Sequence, residues 1–129
     1  MSDSLFTEAD LVFTYTAEQA VADGVLMDAR QGEIAEVTAQ HVKAELPVYI
    51  AHGLRELIQR AVDNRRTGND WKGVWHDILS IWRLAVRLQR KSEFMAFEVL
   101  ITGVGRKKKH RIVAALDGAG LTFMLPSDY

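Results

Sequence analysis

The sequence predicts an α+β domain in which an antiparallel sheet of three to four strands packs on about three to four helices. Three observations lead there. From Trp71 to Arg90 apolar residues recur at helical spacing. Beyond Lys91 the period switches to alternation, and three alternating runs follow one another with turn residues between them. The composition, 129 residues that are 48% hydrophobic and 26% charged, fits one globular domain spanning 1–129, with residues 1–9 expected to be flexible.

Leu11-Val12-Phe13-Thr14-Tyr15 is β-prone and predicts a short strand. Thr16 with Gln19 three residues later is a capping-box pattern, opening a short helix through Ala17, Ala20 and Val21. Gly24 is its expected stop, because a left-handed residue there would strain any Cβ. Val25-Leu26-Met27 then returns apolar bulk to the core. A weakly amphipathic helix is expected from Glu33 to Glu45, ended by the restriction that Pro47 places on Leu46. A second is expected from Val48 to Asp63, where Ile50, Leu54, Leu57, Ile58, Ala61 and Val62 keep helical spacing. Arg65-Arg66-Thr67-Gly68-Asn69 reads as a polar loop, after which Asn69 or Asp70 can cap the next helix.

That helix, Trp71 to Arg90, is the clearest element. Trp71, Val74, Trp75, Ile78, Ile81, Trp82, Ala85, Val86 and Leu88 fill a broad arc, which implies burial against more than one neighbour. His76, Ser80, Arg83, Arg87 and Arg90 form a narrow stripe on the opposite side. Among the strands, Met95, Phe97, Val99 and Ile101 share one face, Ile112, Ala114 and Leu116 the next, and Leu121, Phe123 and Leu125 the last before Pro126. Gly103 and Gly105 break the first strand, and Asp117-Gly118 is a hairpin turn signal between the other two.

Tyr15-Thr16, Ala20, Asp23-Gly24-Val25-Leu26 and Asp28, a helix through Asp77-Ile78-Leu79 to Ala85, and the close Leu121-Thr122-Phe123-Met124-Leu125-Pro126 with Asp128 form a recognisable set. On these residues the chain resembles a family of small bacterial, plasmid and phage proteins of unknown function, over about residues 10–128 and only loosely between Arg30 and Asn69. The resemblance implies a bacterial or mobile-element setting and carries no reaction with it. Tyr15, Thr16, Asp23, Gly24 and Asp28 are its structural signature: a cap, a helix stop and carboxylates that can accept backbone hydrogen bonds around the turn. The alternative for Tyr15, Asp23 and Asp28 is an exposed recognition epitope.

Charge is split along the chain. Residues 1–56 hold ten acids and three bases, a net of −7, whereas 57–129 hold seven acids and thirteen bases, a net of +6. Such a chain can carry separate acidic and basic surfaces, each steering a partner of opposite sign; the alternative is that the two halves neutralise each other inside one fold, their surface charges serving solubility. The absence of cysteine excludes disulfides, cysteine-ligated metal sites and a thiol nucleophile. The acidic, polar start is unlike a secretory signal and no apolar run is long enough for a bilayer, so a cytoplasmic, non-membrane protein is expected.

Catalytic motifs are missing: neither Gly-x-Ser-x-Gly nor a Walker-type loop occurs, and Gly103-Val104-Gly105 before Arg106 lies between strands, where no helix N-terminus can hold an anion. His41 with Glu45 and His52 with Glu56 sit one turn apart, a spacing chance alone gives on acidic helices, so no metal and no cofactor is expected. The informative chemistry is basic. Arg106, Lys107, Lys108, Lys109 and Arg111 cluster on a hairpin, and Arg83, Arg87 and Arg90 would extend that surface if helix and hairpin tip point the same way. The competing explanation is structural, since lysines protect a sheet edge and arginines complement a helix C-terminus. The leading expectation is a non-catalytic interaction protein, accessory or counter-defence in setting, docking on a host protein through charged surfaces. The alternative is a nucleic-acid-binding module built on hairpin 106–111. A third class, an enzyme or small-ligand binder, would use a pocket near Tyr49, His52 or His76. The broad apolar arc of the tryptophan helix leaves a homodimer open.

Overall fold

The computed structural model describes residues 18–89 and 93–129. The strand expected at 11–15, the cap at Thr16, the signature residue Tyr15 and the stripe residue Arg90 lie outside the described residues.

The fold is α+β. Strands β1 (Leu26–Asp28), β2 (Val48–Ala51), β3 (Phe94–Leu100), β4 (Lys109–Asp117) and β5 (Gly120–Met124) form one sheet in the order β1-β2-β5-β4-β3. The pair β2·β5 is parallel and the other neighbours are antiparallel. Four α-helices accompany it among the described residues: α1 (18–22), α2 (Ala35–His41), α3 (His52–Asp63) and α4 (Trp71–Gln89). Short 3-10 turns at Gly32–Ile34 and Pro126–Asp128 complete the described secondary structure.

The hydrophobic pattern explains this arrangement. Along β3, Met95, Phe97 and Val99 are buried while Phe94, Glu98 and Leu100 are exposed, the period of two expected of a sheet with one covered face. On that face Phe123 of β5 is the hub: Trp75, Trp82 and Phe97 meet it edge-on, with ring centroids 5.1, 5.6 and 6.4 Å away. Trp71 and Trp75 are buried, so α4 is the core helix its periodicity predicted. Asp70 caps it, accepting from the Gly73 amide at 2.9 Å.

Four expectations need correction. The sheet has five strands, mixed rather than wholly antiparallel. One added strand is β2, where a helix was expected from Val48. Val48, Tyr49 and Ile50 are β-branched or aromatic, and both edges of the segment are paired, to β1 and to β5, before the helix starts at His52. The other is β1, which turns the apolar run after Gly24 into sheet. The helix expected over Glu33–Glu45 is shorter, because Val42 turns extended and buries its side chain well before Pro47. Leu88, placed in the buried arc by its spacing, is 75% exposed on the last turn of α4.

Candidate functional site: two cationic ends and an apolar cavity

The first cationic end is built by two loops. The hairpin β3–β4 closes with the Ile101 amide on the Lys108 carbonyl at 2.9 Å, presenting Arg106, Lys107, Lys108 and Lys109 as exposed side chains. The loop between α3 and α4 packs on it. Asn64 Nδ2 donates to the Gly103 carbonyl at 3.1 Å and Asn69 Nδ2 to the Thr102 carbonyl at 2.9 Å. This brings the exposed Arg65 and Arg66 to the same end as the hairpin cations. Arg111, also exposed, lies one step down the ribbon, directly opposite Glu98 in the register.

The helix arginines are elsewhere. The loops at Thr67–Asn69 precede α4, while its far end leads to Glu93 at the start of β3, so α4 runs antiparallel to β3. Arg83 and Arg87 lie about 18 and 24 Å along the helix from Trp71, at 1.5 Å per residue. The expectation of one joint surface shared by these arginines and the hairpin tip therefore fails: they occupy opposite ends of the sheet.

At their own end Arg83 and Arg87 border a cavity of about 500 Å³. Its walls are apolar, with Trp82 and Val86 from α4, and Met95, Ala114 and Leu121 from the sheet. Leu46 and Leu116 also line it, and the exposed Lys43, Arg83, Arg87 and Glu93 with the half-buried His41 form its solvent-facing mouth. Arg30 shapes this wall. Its guanidinium donates to the Leu46 carbonyl through Nε at 3.1 Å and Nη2 at 2.8 Å, and Nη2 also donates to the Lys43 carbonyl. Beside the mouth, His41 Nε2 and His76 Nδ1 share a hydrogen bond of 2.9 Å, with Arg83 Nη1 3.5 Å from His41 Nδ1. Burial first, then the His76 and Arg83 charges, hold the His41 imidazole below its ordinary pKa.

Arg65, Arg66, Arg30, Lys43 and Glu93 were not among the residues sequence reasoning selected. Arg65-Arg66 was a visible basic pair, but only the asparagine contacts reveal which end it joins. His41 and His76 were visible as histidines, thirty-five positions apart, with nothing in the spacing to pair them.

The signature residues among those described make local contacts. Gly24, at φ +79°, ends α1 in a Schellman arrangement in which the Val25 amide reaches the Ala20 carbonyl at 2.7 Å. Asp28 Oδ1 accepts from the Arg30 amide at 2.9 Å, and Asp23 accepts from Gln19 at 3.0 Å. Asp28 also belongs to an acidic group, with Glu18 and Asp117, around Tyr49; burial first and then these carboxylates raise the Tyr49 pKa. His52 and Glu56 form an exposed pair at 3.9 Å. No three His, Asp or Glu side chains converge as a metal site among the described residues. No helix among them is long and apolar enough to cross a membrane.

No family model, no curated protein and no solved structure matches this chain.

Proposed function

We propose that the chain is a non-catalytic interaction protein that docks an acidic surface of a larger host protein through the two-loop cationic end. The observation that carries this reading is the joining of the Arg65-Arg66 loop to the Arg106–Lys109 hairpin by two asparagine hydrogen bonds. Six cations are thereby fixed on one end of the fold, and none of them forms an ion pair among the described residues. Fixed, unpaired charges of one sign steer encounter with an opposite surface and set its salt dependence. The resemblance of the Tyr15-to-Asp28 opening to small bacterial, plasmid and phage proteins of unknown function supports a bacterial or mobile-element setting, in which an accessory or counter-defence role is proposed.

A polyanionic nucleic acid is the second reading, favoured by the same six cations. Two features weigh against it. The two loops carry no aromatic side chain on which a base could stack, and the Glu18, Asp28 and Asp117 group would repel a strand that wrapped the sheet.

The test is affinity capture from bacterial lysate, with and without nuclease treatment, using the wild type and a variant carrying Ala at 65, 66 and 106–109. The account expects a protein held by the wild type, released by raised salt and not held by the folded variant. Identical capture by both chains contradicts it. Loss of capture on nuclease treatment transfers the site to nucleic acid.

A further inference from the structure

We infer that the cavity at the Arg83 end is a binding site for a small amphipathic monoanion: a free carboxylic acid with an apolar chain or ring. This is independent of the docking reading, since it uses the opposite end of the molecule.

Two observations point to that ligand class. The interior is apolar and of small-molecule size, about 500 Å³, lined by Trp82, Val86, Met95 and Leu121. The mouth is charged and net positive, with Lys43, Arg83 and Arg87 against Glu93. Arg83 and Arg87 are one helical turn apart on one face of α4, and Lys43 approaches from the loop after α2. A ligand that leaves its apolar body among the walls therefore places its head group among three cations, where a guanidinium can hold a carboxylate by two parallel hydrogen bonds. An uncharged apolar molecule would leave those cations without a counter-charge. A dianion would meet Glu93 with more repulsion than a monoanion. The Arg30 clasp on the Lys43 and Leu46 carbonyls keeps one wall in place before any ligand arrives, which lowers the ordering cost of binding.

The experiment titrates the full chain with decanoate, with decanol as the same body lacking charge, and with acetate as the head group alone. Tryptophan fluorescence, to which Trp82 in the cavity wall contributes, and calorimetry are the readouts. Saturable decanoate binding at least tenfold tighter than decanol is expected, with no saturable response to acetate. Arg83→Gln with Arg87→Gln, at exposed positions, should weaken decanoate at least tenfold and leave decanol unchanged. Ala114→Leu should abolish both, and Val86→Phe, at a half-buried wall position, gives the same reading if the buried change prevents folding. Decanoate binding that is absent, equal to decanol, or insensitive to the arginine pair overturns the assignment. So does a dimer in sedimentation that the cavity-filling variant dissolves, because a second copy would then be the occupant.

Discussion

His41 of α2 and His76 of α4 share one hydrogen bond, Nε2 to Nδ1 at 2.9 Å, which ties the cavity mouth to the core helix. One ring must donate and the other accept, so the bond requires at least one acceptor nitrogen without a proton. A second proton would place two imidazolium rings in contact beside Arg83. The lowered His41 pKa has this origin, after burial.

The stability consequence has a definite sign. The unfolded His41 takes up its proton near 6.5, while the folded one does so only at lower pH. Between those values the unfolded state binds more protons, so stability is complete above about pH 6.5 and declines as the pH falls toward the folded value. The effect is modest because the ring is only half-buried. Denaturation midpoints measured from about pH 7.5 down to about pH 5 should fall for the wild type, and fall less for His41→Gln. A steeper fall in the variant contradicts the pairing.

Trp75 and Thr38 form a wholly buried polar pair: the indole N–H donates to Thr38 Oγ1 at 2.9 Å. The hydroxyl itself reaches the Ala29 carbonyl at 2.7 Å. Thr38→Val strands the indole N–H, a cost of about 1–3 kcal/mol. Adding Trp75→Phe removes the stranded donor, so the double variant should lose less than the sum of the single losses. Additive losses in urea denaturation would show that the bond carries no coupling.

Asp128 ties the end of the described chain to α3. Its carboxylate accepts from the amides of Gly53 at 2.9 Å and Leu54 at 3.1 Å, and from that of Leu125 at 2.9 Å. A carboxylate there satisfies free amides and complements the helix dipole. Asp128→Ala should cost about 1–2 kcal/mol. Gly53→Ala should also destabilise, because its Cβ would overlap that carboxylate. Unchanged melting of both variants contradicts this role.

Arg30 holds the loop after α2 by its carbonyls rather than by charge pairing. Arg30→Met keeps the aliphatic stem and removes the donors, with an expected loss of about 1–2 kcal/mol. Amide exchange should accelerate in residues 43–46 above any global change, and a uniform acceleration would contradict a local clasp.

Much of the architecture was legible in the sequence where one element decides its own form. The broad apolar arc of Trp71–Arg90 fixed the core helix, and alternation from Met95 to Phe123 fixed the β3–β4–β5 meander. Val48–Ala51 was misread because Ile50 and Leu54 satisfy helical spacing, and only the parallel pairing with Leu121–Phe123 makes the segment a strand. No local pattern announces a neighbour so distant in the chain. The site followed the same division. The hairpin cations and the arginine stripe were visible as residue runs, but which end each occupies depends on the direction of α4 across the sheet. The cavity was not visible at all, since its walls come from five separate segments.

The most direct measurement of the docking claim is an amide-resolved NMR titration of the isotope-labelled chain with a polyglutamate peptide. The account predicts shifts confined to 64–69 and 101–109 that vanish at high salt. Shifts centred on the Arg83–Arg87 end, or none at any ionic strength, would contradict it.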